Sequence, residues 1–168
     1  AAQTGIAAAP VAYSVDDQQH IAVAAGWGSI FALFGGEASA ALKHSNQSRI
    51  LAFRLGTTQS LPVREAAQNA IFSEPPASDA SAAETAAGKD IYYERCIVCH
   101  GEGVVSGGVL PDLRRLTKQK HEIWDAIVLG GALRDKGMPA FGQILSKEDS
   151  DAVHAFVIER SQRAFDRQ

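Results

Sequence analysis

Two cysteines and a histidine carry the strongest chemical signal in the chain, in the run Cys96-Ile-Val-Cys99-His100. A disulfide between thiols so close in sequence would close a tiny loop and restrain almost nothing, so their role is chemical. Their separation is one short helical step, which suits two thioether bonds to the vinyl groups of one porphyrin. The next residue then falls under the iron and supplies a nitrogen. C-x-x-C-H is the sequence form of that geometry and predicts a covalent c-type haem on Cys96 and Cys99 with His100 as iron ligand. Two other readings fit less well. Zinc needs two further Cys or His ligands at similar spacing, and His121 and His154 stand isolated in the sequence. A thioredoxin-type redox pair needs a βαβ context, whereas the surrounding pattern is helical.

The second axial ligand falls to Met138, the single methionine, set in Lys136-Gly137-Met138-Pro139-Ala140-Phe141. Glycine and proline on either side set up an irregular loop, which suits presenting a thioether at a defined point. A methionine inside a helix would by default be core filler. His/Met ligation leaves no open position on the iron and raises its potential, a combination for electron transfer rather than peroxidase chemistry or gas sensing. Leu110-Pro111-Asp112-Leu113 is expected to close a loop over the haem edge, with the Pro111 carbonyl accepting from His100 Nδ1–H and fixing the ring. Arg114 or Arg134 is a candidate to neutralise a haem propionate, against the plainer reading of a surface arginine. Trp124 is expected to pack against helix or haem rather than take a redox role.

Three segments must position these groups. Residues 1–55 read as β: Val11–Val15, His20–Ala24 after the polar turn at Asp16-Asp17-Gln18, and Arg49–Leu55 ending at Gly56. Three such strands cannot bury a core alone, so they read as part of a larger β structure. Residues 56–80 have linker composition, with Pro62, Pro75 and Pro76 among small polar residues, and an optional pair of helical turns over Arg64–Phe72. Residues 81–168 read as helical. Ser81 and Glu84 have the spacing of a capping box ahead of a helix running into the cysteines. A second helix is expected over His121–Leu129, burying Ile123, Ala126 and Ile127 and ending at Gly130-Gly131. A last one starts at Ser146 with Asp149 completing another capping box, and carries Val153, Phe156 and Val157 on one face.

Composition narrows the functions. With 46% apolar and 21% charged residues and a net charge of −3, the chain has a globular profile without the basic face that nucleic-acid binding needs. Its densest cations, Arg114, Arg115, Lys118 and Lys120, read as solvated surface. No apolar run reaches the ~18 residues of a membrane span. The first residues lack the basic region of an intact secretory signal, so Ala1 is expected to follow a processing site or chain boundary.

Longer strings narrow the reading further. The haem motif, the Gly-Met-Pro loop and the capped last helix make residues 81–168 resemble a class I cytochrome c domain. Val104–Leu116, Ile127–Pro139 and Ala152–Arg160 resemble the C-terminal domain of quinohaemoprotein alcohol dehydrogenases. Thr4–Tyr13, Ile21–Gly28 and Arg49–Leu55 are similar to the end of that family's eight-bladed β-propeller. The resemblance implies a mainly α fold, a cytochrome c domain preceded by a linker and a few strands from the end of a propeller. It also implies that pyrroloquinoline quinone, calcium and the catalytic aspartate belong to blades outside this sequence. Of the quinone pocket only Gly26-Trp27-Gly28 would remain, and the chain alone would not oxidise alcohol.

The function so implied is single-electron transfer in the periplasm. Electrons would come from the quinone of a propeller dehydrogenase portion or subunit and go to a cytochrome, a copper protein or a membrane oxidase. The alternative is a free-standing small periplasmic cytochrome c. A haem enzyme or sensor with a displaceable Met138 is a third reading, and it predicts ready binding of cyanide or carbon monoxide.

Overall fold

Asp16 and Asp17 both adopt left-handed backbone angles, φ 50° and 57°, as a two-residue hairpin turn between twisted strands requires. They join β1 (Val11–Val15) to β2 (Gln18–Ala25), and β3 (Arg49–Arg54) pairs with the other edge of β2. Both pairings are antiparallel, setting Tyr13 opposite His20 and Val23 opposite Leu51. The structure, a computed structural model, describes residues 2–26, 33, 35–38, 48–62, 71–107 and 109–168. Trp27 and Gly28 of the expected quinone-rim loop, and residues 64–70 of the optional helical turns, lie outside them.

The sheet buries little. Val23, Ala25 and Leu51 form its small core with Ala2 and Leu61 against it, whereas Ile50, Phe53 and Leu55 are 79%, 51% and 96% exposed. Three strands with so little burial are marginal by themselves.

The described residues between the sheet and the helices form no helix or strand, yet they are held at both ends. Gln3 Nε2 donates to the Pro62 carbonyl at 2.9 Å. Beyond the gap, Gln168 accepts from the Phe72 N–H at 2.8 Å and donates to its carbonyl at 3.1 Å. The Arg115 guanidinium lies 3.8 Å from the Phe72 ring centre. Pro75 is buried. Composition alone suggests a solvated strap here, but an aromatic ring that meets a guanidinium plane has reason to stay down.

Five α-helices follow among the described residues. In α1 (Ala82–Arg95) the capping box is complete: Ser81 Oγ accepts from Glu84 N–H at 3.2 Å and the Glu84 carboxylate accepts from Ser81 N–H at 2.8 Å. The same pair of bonds, Ser146 with Asp149, opens α5 (Lys147–Phe165). These two helices cross with their backbones nearly touching at Gly88, where a Cβ would stand 1.8 Å from the Ala152 carbonyl oxygen. Tyr92, Val153, Phe156 and Val157 fill the core beside the crossing.

Between α1 and α5 lie α2 (Ile97–His100), α3 (Lys118–Glu122) and α4 (Trp124–Val128). The single helix expected over His121–Leu129 is therefore two, broken at Ile123 (φ −104°, ψ 21°). The break changes the buried face to His121, Trp124, Ile127 and Val128, leaving Ile123 44% exposed and Ala126 exposed as well. It turns Trp124 inward, where the indole N–H donates to the Ser150 carbonyl at 3.1 Å.

Candidate haem site

Cys96 is the pivot between α1 and α2. Its carbonyl accepts from Cys99 N–H at 3.2 Å and from His100 N–H at 2.9 Å, so the motif forms one tight turn. Neither cysteine is in a disulfide, and burial, helped by nearby Cys99, would push an unmodified Cys96 thiol up to about 11. Gly101 then reverses the chain with φ 84°, and a Cβ there would lie 2.0 Å from the Val105 carbonyl oxygen. Buried Tyr92 anchors the reversal, its hydroxyl donating to the Gly101 carbonyl at 2.6 Å. Burial raises the Tyr92 pKa, keeping that donor protonated.

His100 is buried, and its Nδ1 lies 3.4 Å from the Pro111 carbonyl oxygen. That leaves Nε2 as the ring nitrogen for a metal. Burial lowers the His100 pKa, opposed by the Pro111 contact, and so favours the neutral imidazole that binds metals.

Met138 is held from the other side. A turn at Arg134–Lys136 closes on Gly137 in the left-handed region, and Met138 N–H donates to the Leu133 carbonyl at 3.2 Å. Beyond it Phe141 N–H donates to the Val128 carbonyl at 2.8 Å. Met138, Cys96, Cys99, His100 and Pro111 all line one cavity of about 230 Å³. Its other walls are almost wholly apolar, Tyr92, Trp124 and Val153 among them, and the described lining contains no carboxylate. Two thiols, a neutral imidazole and a thioether around an apolar slot are the donor set of a covalent haem with His/Met ligation.

Of the two arginines weighed as propionate partners, Arg134 is the surface residue that the plainer reading expected and Arg114 is not. Arg114 is neither a surface residue nor part of this cavity. Its side chain is 12% exposed and grips Asp112 through Nε at 3.0 Å and Nη2 at 2.6 Å. Asp112 also caps the short turn Leu113–Arg115, accepting from Arg114 N–H at 3.1 Å, so proximity selects this partner. Arg134 is exposed and outside the cavity lining too. The cations that do line it, Lys120 and Lys136, were not singled out for it by the sequence; the position of Lys136 two residues before Met138 was the available signal.

His121 and His154 are not isolated in space. His121 Nδ1 and His154 Nε2 lie 2.8 Å apart, and the His154 ring stacks on Trp124 at 4.5 Å. Burial, then the neighbouring His121, pushes His154 down to about 4. Among the described residues no group of three His, Cys, Asp or Glu forms a metal site. Trp124, as expected, is a packing residue, joining this pair to the cavity wall.

Comparison with known proteins agrees with the geometry. Residues 83–157 match the family model described as cytochrome c oxidase, cbb3-type, subunit III. The chain is a cytochrome-type helical domain with a small unclosed sheet in front of it.

More closely, it is homologous to part of the quinohaemoprotein alcohol dehydrogenases. It is 40% identical over 160 residues to quinohemoprotein alcohol dehydrogenase ADH-IIG of Pseudomonas putida, covering 95% of this chain and 22% of that protein. ADH IIB of the same species is 38% identical over 159 residues, 95% of this chain and 23% of that one. The solved structure of ADHIIG from Pseudomonas putida HK5 superposes with a TM-score of 0.80 at 38% identity, over 99% of this chain and 24% of that one. That from Comamonas testosteroni does so with 0.66 at 27%, over 95% and 22%. The chain thus spans less than a quarter of the length of these relatives.

Proposed function

We propose that this chain is the electron-transfer part of a quinohaemoprotein alcohol dehydrogenase, working in the periplasm. The observation that carries the reading is the apolar cavity that gathers Cys96, Cys99, His100 and Met138. A haem bound there supplies one-electron exchange between ferric and ferrous iron. Cys96 and Cys99 would hold it covalently, His100 and Met138 would supply the donor atoms to its iron, and Pro111 would orient the imidazole. The closed ligand set and apolar walls exclude water and small reactants.

Residues 81–168 are the cytochrome c domain, 56–80 the linker and 1–55 the end of a propeller. The exposed apolar residues of β3 and its end, Ile50, Phe53 and the following Leu55 above all, support this, because a larger β structure would cover them. The dehydrogenase portion holds pyrroloquinoline quinone and calcium and oxidises the alcohol. Its electrons pass singly through this domain to an external acceptor, a cytochrome, a copper protein or a membrane oxidase. Among the described residues no helix is long and apolar enough to cross a membrane.

Mass spectrometry of the protein from its native source, first native and then denaturing, tests this. A haem-sized increment that survives denaturation, with a large dehydrogenase portion attached or released, is the expected result. The increment on a lone chain of this length would favour a free-standing cytochrome. No increment would overturn the reading.

A further inference from the structure

Haem carries two propionate carboxylates, and an apolar cleft that takes it up must meet them with cations or leave them in water. Arg114 is held by Asp112 along the Nε–Nη2 edge of its guanidinium, and neither it nor Arg134 is in the lining. Among the described lining residues the cations are two, Lys120 in α3 and Lys136 in the turn before Met138. They stand in an otherwise apolar wall that contains no carboxylate to claim them. Neither enters an ion pair among the described residues. By contrast, Lys147 is engaged by Asp125 and Asp151, and Arg163 by Glu159.

We propose that Lys120 and Lys136 are the propionate-binding residues of the cleft, and that their charge sets how readily the bound iron is reduced. The inference rests on the haem reading above. A fixed ammonium beside each propionate offsets negative charge that would otherwise favour the ferric state. Lysine suits the task because its long stem packs along the apolar wall while the ammonium stays at the rim. Lys136 has a second consequence. It shares a short turn with the Met138 loop, so contact with a propionate would tie that loop to the macrocycle.

The test uses the full chain matured with haem, in the variants Lys120→Gln, Lys136→Gln and the double variant. Exposed Lys118→Gln, outside the lining, is the control. At a fixed solution potential near the midpoint, each single variant should raise the ratio of ferric to ferrous protein about threefold or more, and the double variant further. The pH dependence of that ratio should also move to higher pH, because a propionate without its ammonium binds a proton more readily. Lys120→Arg and Lys136→Arg should restore both. A double variant that matches the wild type in ratio and pH dependence, with haem still attached in denaturing mass spectrometry, would overturn this proposal alone. A wild-type chain without the haem increment would overturn the haem reading itself.

Discussion

Replacing Gly88 by alanine puts a methyl group into the crossing of α1 and α5. Its Cβ would stand 1.8 Å from the Ala152 carbonyl oxygen, 2.2 Å from the Ala152 carbonyl carbon and 2.8 Å from the Val153 nitrogen. Non-bonded carbons rest about 3.5 Å or more apart, so the helices must separate by more than about 1 Å. All three obstacles are backbone atoms of a helix and none can rotate away. Overpacking of this kind costs about 1–3 kcal/mol or more, and the better helix propensity of alanine returns about 1 kcal/mol. The clash lies at the upper end, leaving a net loss of about 2 kcal/mol. For a domain of this size that lowers the melting temperature by about 8–16 °C. Circular dichroism melts of the haem-loaded chain measure it. Ala152→Gly should not rescue the variant, because the clash is with main chain rather than with the methyl group of Ala152. A Gly88→Ala melt at or above that of the wild type would refute the packing argument.

Three further predictions concern the site and its supports. Met138→Ala should keep haem covalently attached but open the sixth position, lower the potential and admit cyanide or carbon monoxide; an unchanged spectrum and potential would assign the ligand elsewhere. Tyr92→Phe strips the buried Gly101 carbonyl of its 2.6 Å partner and should cost about 1–2 kcal/mol in denaturant unfolding. His154 is held down to about 4, so the unfolded chain, with its histidine near 6.5, binds the extra proton. Stability should therefore be full above pH 6.5 and fall as the pH drops toward 4. The expected loss is about 1–2 kcal/mol, discounted because the ring is only half-buried. His154→Gln should flatten that slope between pH 7.5 and 4.5, and an equal slope in the variant would place the titration on another group.

What was legible in the sequence was local. Both capping boxes, the hairpin turn and C-x-x-C-H are spacings of three or four residues whose bonds depend on immediate neighbours. Met138 could be picked out across 38 residues because it is the single methionine and sits between glycine and proline. The pairing of His121 with His154 has no such signal: it joins residues 33 apart through the packing of α3 on α5. The break at Ile123 was hidden for the opposite reason. No glycine or proline marks it, and the inward pull on Trp124 comes from Ser150 in another helix. Arg114 was a nearer miss, since Asp112 lies two residues away. Gly88 looks like any glycine among alanines until α5 is laid against it.

The strap that ties the sheet to the helical domain is pinned at Pro62 on one side and at Phe72 on the other. Ten residue steps can reach at most about 35 Å. A partner confined to a sphere of that radius has a local concentration of several millimolar (~10 mM), however dilute the solution. Encounter between the two parts of the chain is therefore first order. A chain cut between Pro62 and Phe72 would lose that advantage, so the association of its two pieces would weaken on dilution where the intact chain's would not.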